Sequence, residues 1–296
     1  VQNSVRLRNL VQDDVIFVSE SGLETPEDIQ VLRDNNIGVA LMGETFMRSP
    51  NKVEKLTYLY GPTYYTPKVK MCGISNVETI PAIIDAKPDY MGLVFAPSKR
   101  QVTVEQAKTL VEELHKQYAI RYNSRTEHTA VLPSLEPTNS ETIKTVGVFV
   151  NETIENLLKI AEEVKLDVIQ LHGDEDESFI QILKEQSNVE VWKAVQVRSA
   201  ADAEKWIDSS ADMLLFDAYH KDERGGTGEV FDWSSLDEFE RPFMLAGGID
   251  STNVARAIRT VRPYGIDISS GIETNGVKDD EKMKAFTNIV RTVALS

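Results

Sequence analysis

Only one of the 296 residues is a cysteine, Cys72. A lone thiol excludes an internal disulfide and any multi-cysteine zinc site. The sequence also lacks an apolar run of the roughly eighteen residues that a membrane helix needs, so no transmembrane helix is expected. No signal-peptide pattern is visible, and a cytoplasmic, reducing setting is the expectation. The chain opens on Val1 rather than Met and reads as a piece of something longer, so its start excludes no targeting segment. Basic residues are in deficit, with 32 Lys plus Arg against 47 Asp plus Glu and a formal net charge of −15. That balance argues against nucleic acid or an anionic membrane as partner, because phosphate-rich surfaces demand a basic face. A small anionic substrate remains open, since a few backbone amides and one Arg suffice to hold a phosphate. No Gly-x-Gly-x-x-Gly turn follows the first strand of the main repeat, which speaks against an open dinucleotide-binding sheet.

What the sequence does have is rhythm. Short apolar runs ending in Gly, Ser, Asp or His alternate with amphipathic stretches, the pattern of βα units on a parallel sheet. The strand-like runs are Lys68–Ile74, Tyr90–Phe95, Thr145–Val150, Val168–His172, Val189–Val195, Met213–Asp217, Pro242–Ile249 and Gly265–Ser269. Helical spacing is expected over Val77–Ala86, Val104–Gln117, Thr153–Val164, Glu177–Gln186, Ala200–Ile207, Trp233–Phe239, Thr252–Arg262 and Asp279–Val293. Asn76, Thr103, Asn151 and Ser251 stand where helix caps belong. Eight such units within 68–296 are what a closed (β/α)8 TIM barrel requires. The polar, turn-rich stretch Tyr118–Ile143 reads as a mobile insertion on the face away from the chemistry.

Residues 1–60 form a separate piece. A helix over Val1–Val11 precedes two βα units: strands at Val15–Val18 and Gly38–Met42, helices at Pro26–Arg33 and Met47–Leu59. Two strands cannot close a barrel and leave apolar surface uncovered. Residues 61–67, GPTYYTP, read as a linker to the barrel at 68–296.

In an α/β barrel the loops after the strands build the active face. Cys72 closes the first strand, and is either inert packing or, near a cation or helix N-terminus, a thiol whose pKa falls toward neutrality. Asp217 follows Leu214-Leu215-Phe216. It is either a cap or salt-bridge partner, or a carboxyl whose pKa an apolar wall raises into the range of a general acid. Arg100 is suited to gripping a carboxylate, with a solvated helix-start Arg as the plain alternative. His172 is a substrate contact or a satisfied strand-end histidine. Gly247-Gly248 and Ser269-Ser270-Gly271 end the seventh and eighth strands, where backbone amides cradle phosphate in many barrels. Gly225-Gly226-Thr227-Gly228 is a flexible loop, either a lid or a spacer.

Together these residues resemble a known family. Lys70-Met71-Cys72-Gly73-Ile74, Gly92-Leu93-Val94-Phe95 with Ser98-x-Arg100, Val146-Gly147-Val148-Phe149 and Gln170-Leu171-His172-Gly173 occur in order. So do Asp217, the 225–228 loop with Phe231-Asp232-Trp233, Leu245-Ala246-Gly247-Gly248 and Asp267-Ile268-Ser269-Ser270-Gly271-Ile272-Glu273. The set resembles phosphoribosylanthranilate isomerase of tryptophan biosynthesis. The resemblance implies an Amadori rearrangement needing no cofactor and no metal, on a small phosphorylated substrate. It implies Asp217 as general acid, Cys72 as base, and Arg100 on the anthranilate carboxylate. His172 and Asp267 would touch substrate, and Gly247, Gly248, Ser269, Ser270 and Gly271 would hold its phosphate.

Val18-Ser19-Glu20-Ser21-Gly22 and Leu41-Met42-Gly43-Glu44 resemble the last two strands of indole-3-glycerol-phosphate synthase, another barrel of the same pathway. By that resemblance Ser21, Gly22 and Gly43 lie in its phosphate loops and Glu20 at its active face. The upstream part of that barrel, with its catalytic lysines, lies outside this sequence, so no synthase activity is expected from this chain. Two other readings of the barrel are an aldolase or epimerase of the same fold and a non-enzymatic scaffold. An aldolase would need a Schiff-base lysine, for which Lys193 is the candidate.

Overall fold

A computed structural model describes residues 66–126, 142–218 and 233–293, and residues 2–60 apart from 9, 12–16, 21, 36, 38 and 51. Contacts divide these into two compact units, one within residues 1–65 and one spanning Thr66–Val293.

The second unit is a closed barrel of eight parallel strands. They are β1 (Lys68–Cys72), β2 (Tyr90–Val94), β3 (Lys144–Phe149), β4 (Val168–Leu171), β5 (Glu190–Val197), β6 (Met213–Ala218), β7 (Phe243–Ala246) and β8 (Gly265–Ile268). Each pairs with its neighbours in sequence, and β8 closes the ring on β1 through Gly265↔Lys68 and Asp267↔Lys70. Covered on both faces, these strands are nearly continuous apolar runs, as a parallel barrel demands. Alternation decides which residues fill the lumen. Tyr90, Val146, Val168, Trp192, Ala194, Met213, Leu215, Met244 and Ala246 form one buried cluster there. Tyr90 and Trp192 meet edge to face at 4.9 Å between centroids.

The closed end is tied by a device repeated before three of the strands, β2, β4 and β6. Asp89, just before β2, accepts from the Val69 amide of β1. Asp167 before β4 does the same for Thr145 of β3, and Asp212 before β6 for Val191 of β5. Each carboxylate satisfies a strand-end donor that burial would otherwise orphan, and each holds its strand pair in register.

Several helices differ from the expectation. Val104–Thr126 is one helix, so the first nine residues of the presumed insertion are helical; residues 127–141 lie outside the described set. Nothing in 118–126 is Gly or Pro, and polar composition alone does not end a helix. The stretch after β6 is a 3-10 turn, Trp233–Leu236, and the one after β5 a short helix, Ala200–Glu204. Asn76 and Thr103 cap as expected, the latter reciprocally with Gln106. Asn151 and Ser251 do not. Thr153 caps its helix, while Asn151 adopts a left-handed backbone and binds Asp174. Asn253 occupies the cap position expected for Ser251.

The first unit holds a helix Gln2–Arg8, strands Val18–Glu20 and Val39–Leu41, and helices Pro26–Asp34, Glu44–Met47 and Lys52–Tyr60. The single helix expected over Met47–Leu59 is two, because Pro50 lacks an amide donor and keeps Ser49 out of helical backbone. The strands pair in parallel over a small core of Leu23, Ile29, Leu32, Ile37 and Leu59. Val18, Val39 and Leu41 remain exposed, Leu41 at 61%, as apolar side chains of an unclosed sheet would be. Among the described residues no helix is long and apolar enough to cross a membrane.

Candidate active site

The open end of the barrel gathers three groups of chemistry-bearing residues. At the end of β1, Lys70 and Cys72 are two residues apart and so share the lumen face. Lys70 is fully buried, and its Nζ donates to both carboxylate oxygens of Asp267 at 3.0 Å. Its charge also acts on Cys72, which projects from the same strand face. A buried ammonium needs such a partner, since stripping its water is otherwise prohibitive. Burial lowers the Lys70 pKa, but Asp267 and Cys72 outweigh it and leave it raised. Burial also dominates at Cys72 and pushes the thiol above its ordinary value; Lys70 and, more weakly, Lys278 pull it down, while Asp267 adds to the rise. The expectation of a thiol near neutrality is thereby corrected.

Gly92 makes room for this thiol. It sits opposite Cys72 in the register, and a Cβ there would meet Cys72 Sγ at 2.8 Å and Cα at 3.0 Å. The nearby backbone cannot swing away as a side-chain tip can. Gly92→Ala should therefore cost about 1–3 kcal/mol of stability as overpacking, measured by denaturant titration. It should also cost more turnover than any stability loss explains, because the displaced group is Cys72 itself.

Across the mouth, Asp217 near the end of β6 faces His172, which directly follows β4. His172 Nε2 lies 3.5 Å from Asp217 Oδ2, and both side chains are more than a third exposed. Behind them the buried Gln170 amide nitrogen lies 3.2 Å from His172 Nδ1. With that amide donating, Nδ1 accepts and the imidazole proton sits on Nε2, aimed at Asp217. Among the described residues, Leu214 and Phe216 do not supply the apolar wall expected beside Asp217. Alternation sends Leu214 and Phe216 to the other side of β6, where Phe216 packs against Phe239 and Phe243. Of Leu214, Leu215 and Phe216, only Leu215 shares the lumen face with Asp217.

Arg100, from the loop after β2, is gripped by Glu273. Its Nε and Nη2 donate to the two carboxylate oxygens at 2.6 and 2.9 Å. Glu273 begins a short hairpin, Glu273–Thr274 with Val277–Lys278, and is register partner to Lys278, whose Nζ donates to Glu273 and to the Ser269 carbonyl. Burial works the other way, yet Arg100 and Lys278 hold Glu273 down at about 2. Gly73 lets the guanidinium stem lie close: its φ is +79° and a Cβ would stand 2.3 Å from Arg100 Cδ.

The remaining expected residues fall as follows. Gly247 and Gly248 both have positive φ at the end of β7. Ser269 donates to the Cys72 carbonyl at 3.2 Å, which ties the eighth loop to the thiol's own backbone. Ser270 is exposed, and a Cβ at Gly271 would strike the Ile249 carbonyl at 2.4 Å, so the seventh and eighth loops touch there. Asp267 is committed first to Lys70. The Gly225–Gly228 loop, Phe231, Asp232 and Ser21 lie outside the described residues. Glu20 is exposed at a strand end, Gly22 has φ +71°, and Gly43 precedes the Glu44–Met47 helix. Among the described residues no group of three or more His, Cys, Asp or Glu is placed to hold a metal ion.

Lys193 is no Schiff-base candidate. It alternates with Trp192 and Ala194 and so faces away from the lumen, where its buried Nζ donates to Glu175 at 2.9 Å and the Gly173 carbonyl at 2.6 Å. Residue reading assigned no separate role to Lys70, Gln170, Glu273 or Lys278, although the first three stand in the quoted motifs. Lys70 carried a usable signal: a lysine two residues before a strand-end cysteine shares its face.

Comparison with known proteins gives two family matches. Residues 120–289 match the model of N-(5'-phosphoribosyl)anthranilate isomerase, and residues 1–59 that of indole-3-glycerol phosphate synthase. The N-(5'-phosphoribosyl)anthranilate isomerase of a Thermoanaerobacter species is 44% identical over 228 residues, covering 76% of this chain and 98% of the relative. A multifunctional tryptophan biosynthesis protein of Phycomyces blakesleeanus is 33% identical along the whole chain, which spans 43% of that protein. Among solved structures, phosphoribosyl anthranilate isomerase of Thermotoga maritima superposes with a TM-score of 0.60 at 33% identity, covering 76% of this chain and 98% of that one. A similar isomerase, solved with reduced 1-(o-carboxyphenylamino)-1-deoxyribulose 5-phosphate, gives 0.58 at 30% identity, covering 76% and 98%.

Proposed function

This chain belongs to the N-(5'-phosphoribosyl)anthranilate isomerase family, and from that premise we propose how its own residues carry out the isomerisation in tryptophan biosynthesis. The observation that supports the reading most is the pairing of two proton carriers at the ends of lumen strands. One is Cys72 on β1, buried beside a cation; the other is Asp217 on β6, open to the mouth beside a histidine. The Asp217 carboxylic acid gives its proton to the furanose ring oxygen of N-(5'-phosphoribosyl)anthranilate. The bond from C1 to that oxygen breaks, and the anilino nitrogen's electron pair forms a cationic C1=N bond. The Cys72 thiolate takes the proton from C2, and the released pair forms the C1=C2 bond of an enolamine as the C1=N π pair returns to nitrogen. Loss of the 2-hydroxyl proton and protonation at C1 give the 1-deoxyribulose product. His172, with its proton on Nε2, stabilises the carboxylate that Asp217 becomes.

Glu273 fixes the plane of the Arg100 guanidinium through Nε and Nη2, which leaves Nη1 to meet the anthranilate carboxylate. Arg100→Ala should raise KM about ten- to a hundredfold, as loss of a charge-assisted contact worth about 1.5–3 kcal/mol requires, with kcat changed severalfold at most. Glycine backbone at 247–248 and the 269–271 loop receive the phosphate. The reading is tested by loss of anthranilate-adduct fluorescence when the purified chain meets freshly made substrate; a folded chain with no turnover would refute it. The first unit is the tail of an indole-3-glycerol-phosphate synthase barrel, whose activity belongs to a longer parent polypeptide in the cytoplasm.

A further inference from the structure

Cys72 is the one thiol of the chain, and it is buried, which favours its neutral form. A base at this position needs a nearby fixed charge. We propose that Lys70, clamped in place by Asp267, is the positioning residue that keeps Cys72 able to act as thiolate. Three features of the geometry support this. Lys70 and Cys72 project from one face of β1, so strand geometry sets their approach rather than a flexible loop. The Lys70 ammonium is fully buried and held by both oxygens of Asp267 at 3.0 Å, so it has one orientation and no water to screen it. Gly92 removes the side chain that would otherwise crowd the sulfur from the next strand.

The charged groups around the sulfur are few. On its own strand there is Lys70. From β8 comes Asp267, which opposes ionisation; from the hairpin after β8 comes Lys278, which favours it. Arg100 senses the sulfur from the loop after β2, but its charge is matched by Glu273. Lys278 is likewise shared between Glu273 and the Ser269 carbonyl. Lys70 is the cation that shares the thiol's own strand face, and Asp267 stops it from turning away.

The inference rests on Cys72 being the base, and the two ideas can fail separately. Because the chain has a single cysteine, labelling with 13C at Cβ gives one resonance whose shift reports ionisation of Cys72 directly, without turnover. In Lys70→Gln the titration midpoint should rise by more than one unit, and the acid limb of the kcat profile should move up with it. Turnover at pH 7 should then fall about tenfold for each unit of rise. Lys70→Arg should restore both partly. Lys70→Gln/Asp267→Asn removes both charges with little change of shape and guards against misfolding from an unpaired carboxylate; it should give a smaller rise. A midpoint that stays put or falls in either uncharged variant overturns the proposal. A midpoint that rises while Cys72→Ala keeps full turnover supports the role of Lys70 and refutes Cys72 as base.

Discussion

Cys72→Ala is expected to lower kcat by about three orders of magnitude, the usual scale for removing a positioned general base, while KM changes little. The split follows from the geometry. The thiol is buried beneath the mouth and makes no contact on which ground-state binding of a carboxylate and a phosphate depends; it matters only when the C2 proton moves. Cys72→Ser should be nearly as inactive, because a hydroxyl of similar size fills the site but loses its proton far less readily. The pH dependence has a definite sign. The active form is the deprotonated one, and burial holds the thiol above its ordinary value. The proton-abstraction step should therefore speed up with pH from neutral into the alkaline range, and slow on acidification. Stopped-flow fluorescence with saturating substrate separates kcat from KM. More than a tenth of wild-type kcat in Cys72→Ala would remove the base assignment.

The barrel itself was legible because its signal is local. A parallel strand covered on both faces has to be an apolar run, and the runs so identified begin within about two residues of the observed strands. The closing of β8 on β1 follows once eight such units are counted. What was not legible is what distance in sequence hides. Lys70 and Asp267 lie 197 positions apart, and Arg100 and Glu273 lie 173 apart. Each partner was visible, but no local pattern says that they meet. Arg100 was therefore read as free to bind substrate when one edge of it already belongs to Glu273. Adjacency also misled in the opposite direction. Leu214 and Phe216 flank the lumen residue Leu215 and precede Asp217, yet pleating sends both to the outer face, so these two do not wall the carboxyl. The helix running past Gln117 to Thr126 shows the same limit, since polar composition suggests a loop where no breaker stands.

Asp217→Asn should lower kcat by about a hundred- to ten-thousandfold, the range for losing a general acid. Asparagine keeps the shape and can still donate a hydrogen bond to the ring oxygen, but it has no proton to transfer. If orientation alone drove ring opening, this variant would stay active; the argument requires that it does not. His172→Ala distinguishes the two contributions further. With the Gln170 amide donating to Nδ1, Nε2–H faces Asp217, and that donor is worth most once Asp217 has become a carboxylate. Replacing it should cost about 1.5–3 kcal/mol of stabilisation of that charged state, or roughly ten- to a hundredfold in kcat, while the proton itself remains available. The ordering Asp217→Asn below His172→Ala below wild type, at unchanged KM for all three, is the result expected of an acid supported by its neighbour. Equal losses in the two variants would instead make His172 the proton carrier, with Asp217 holding it in place as the second member of the pair.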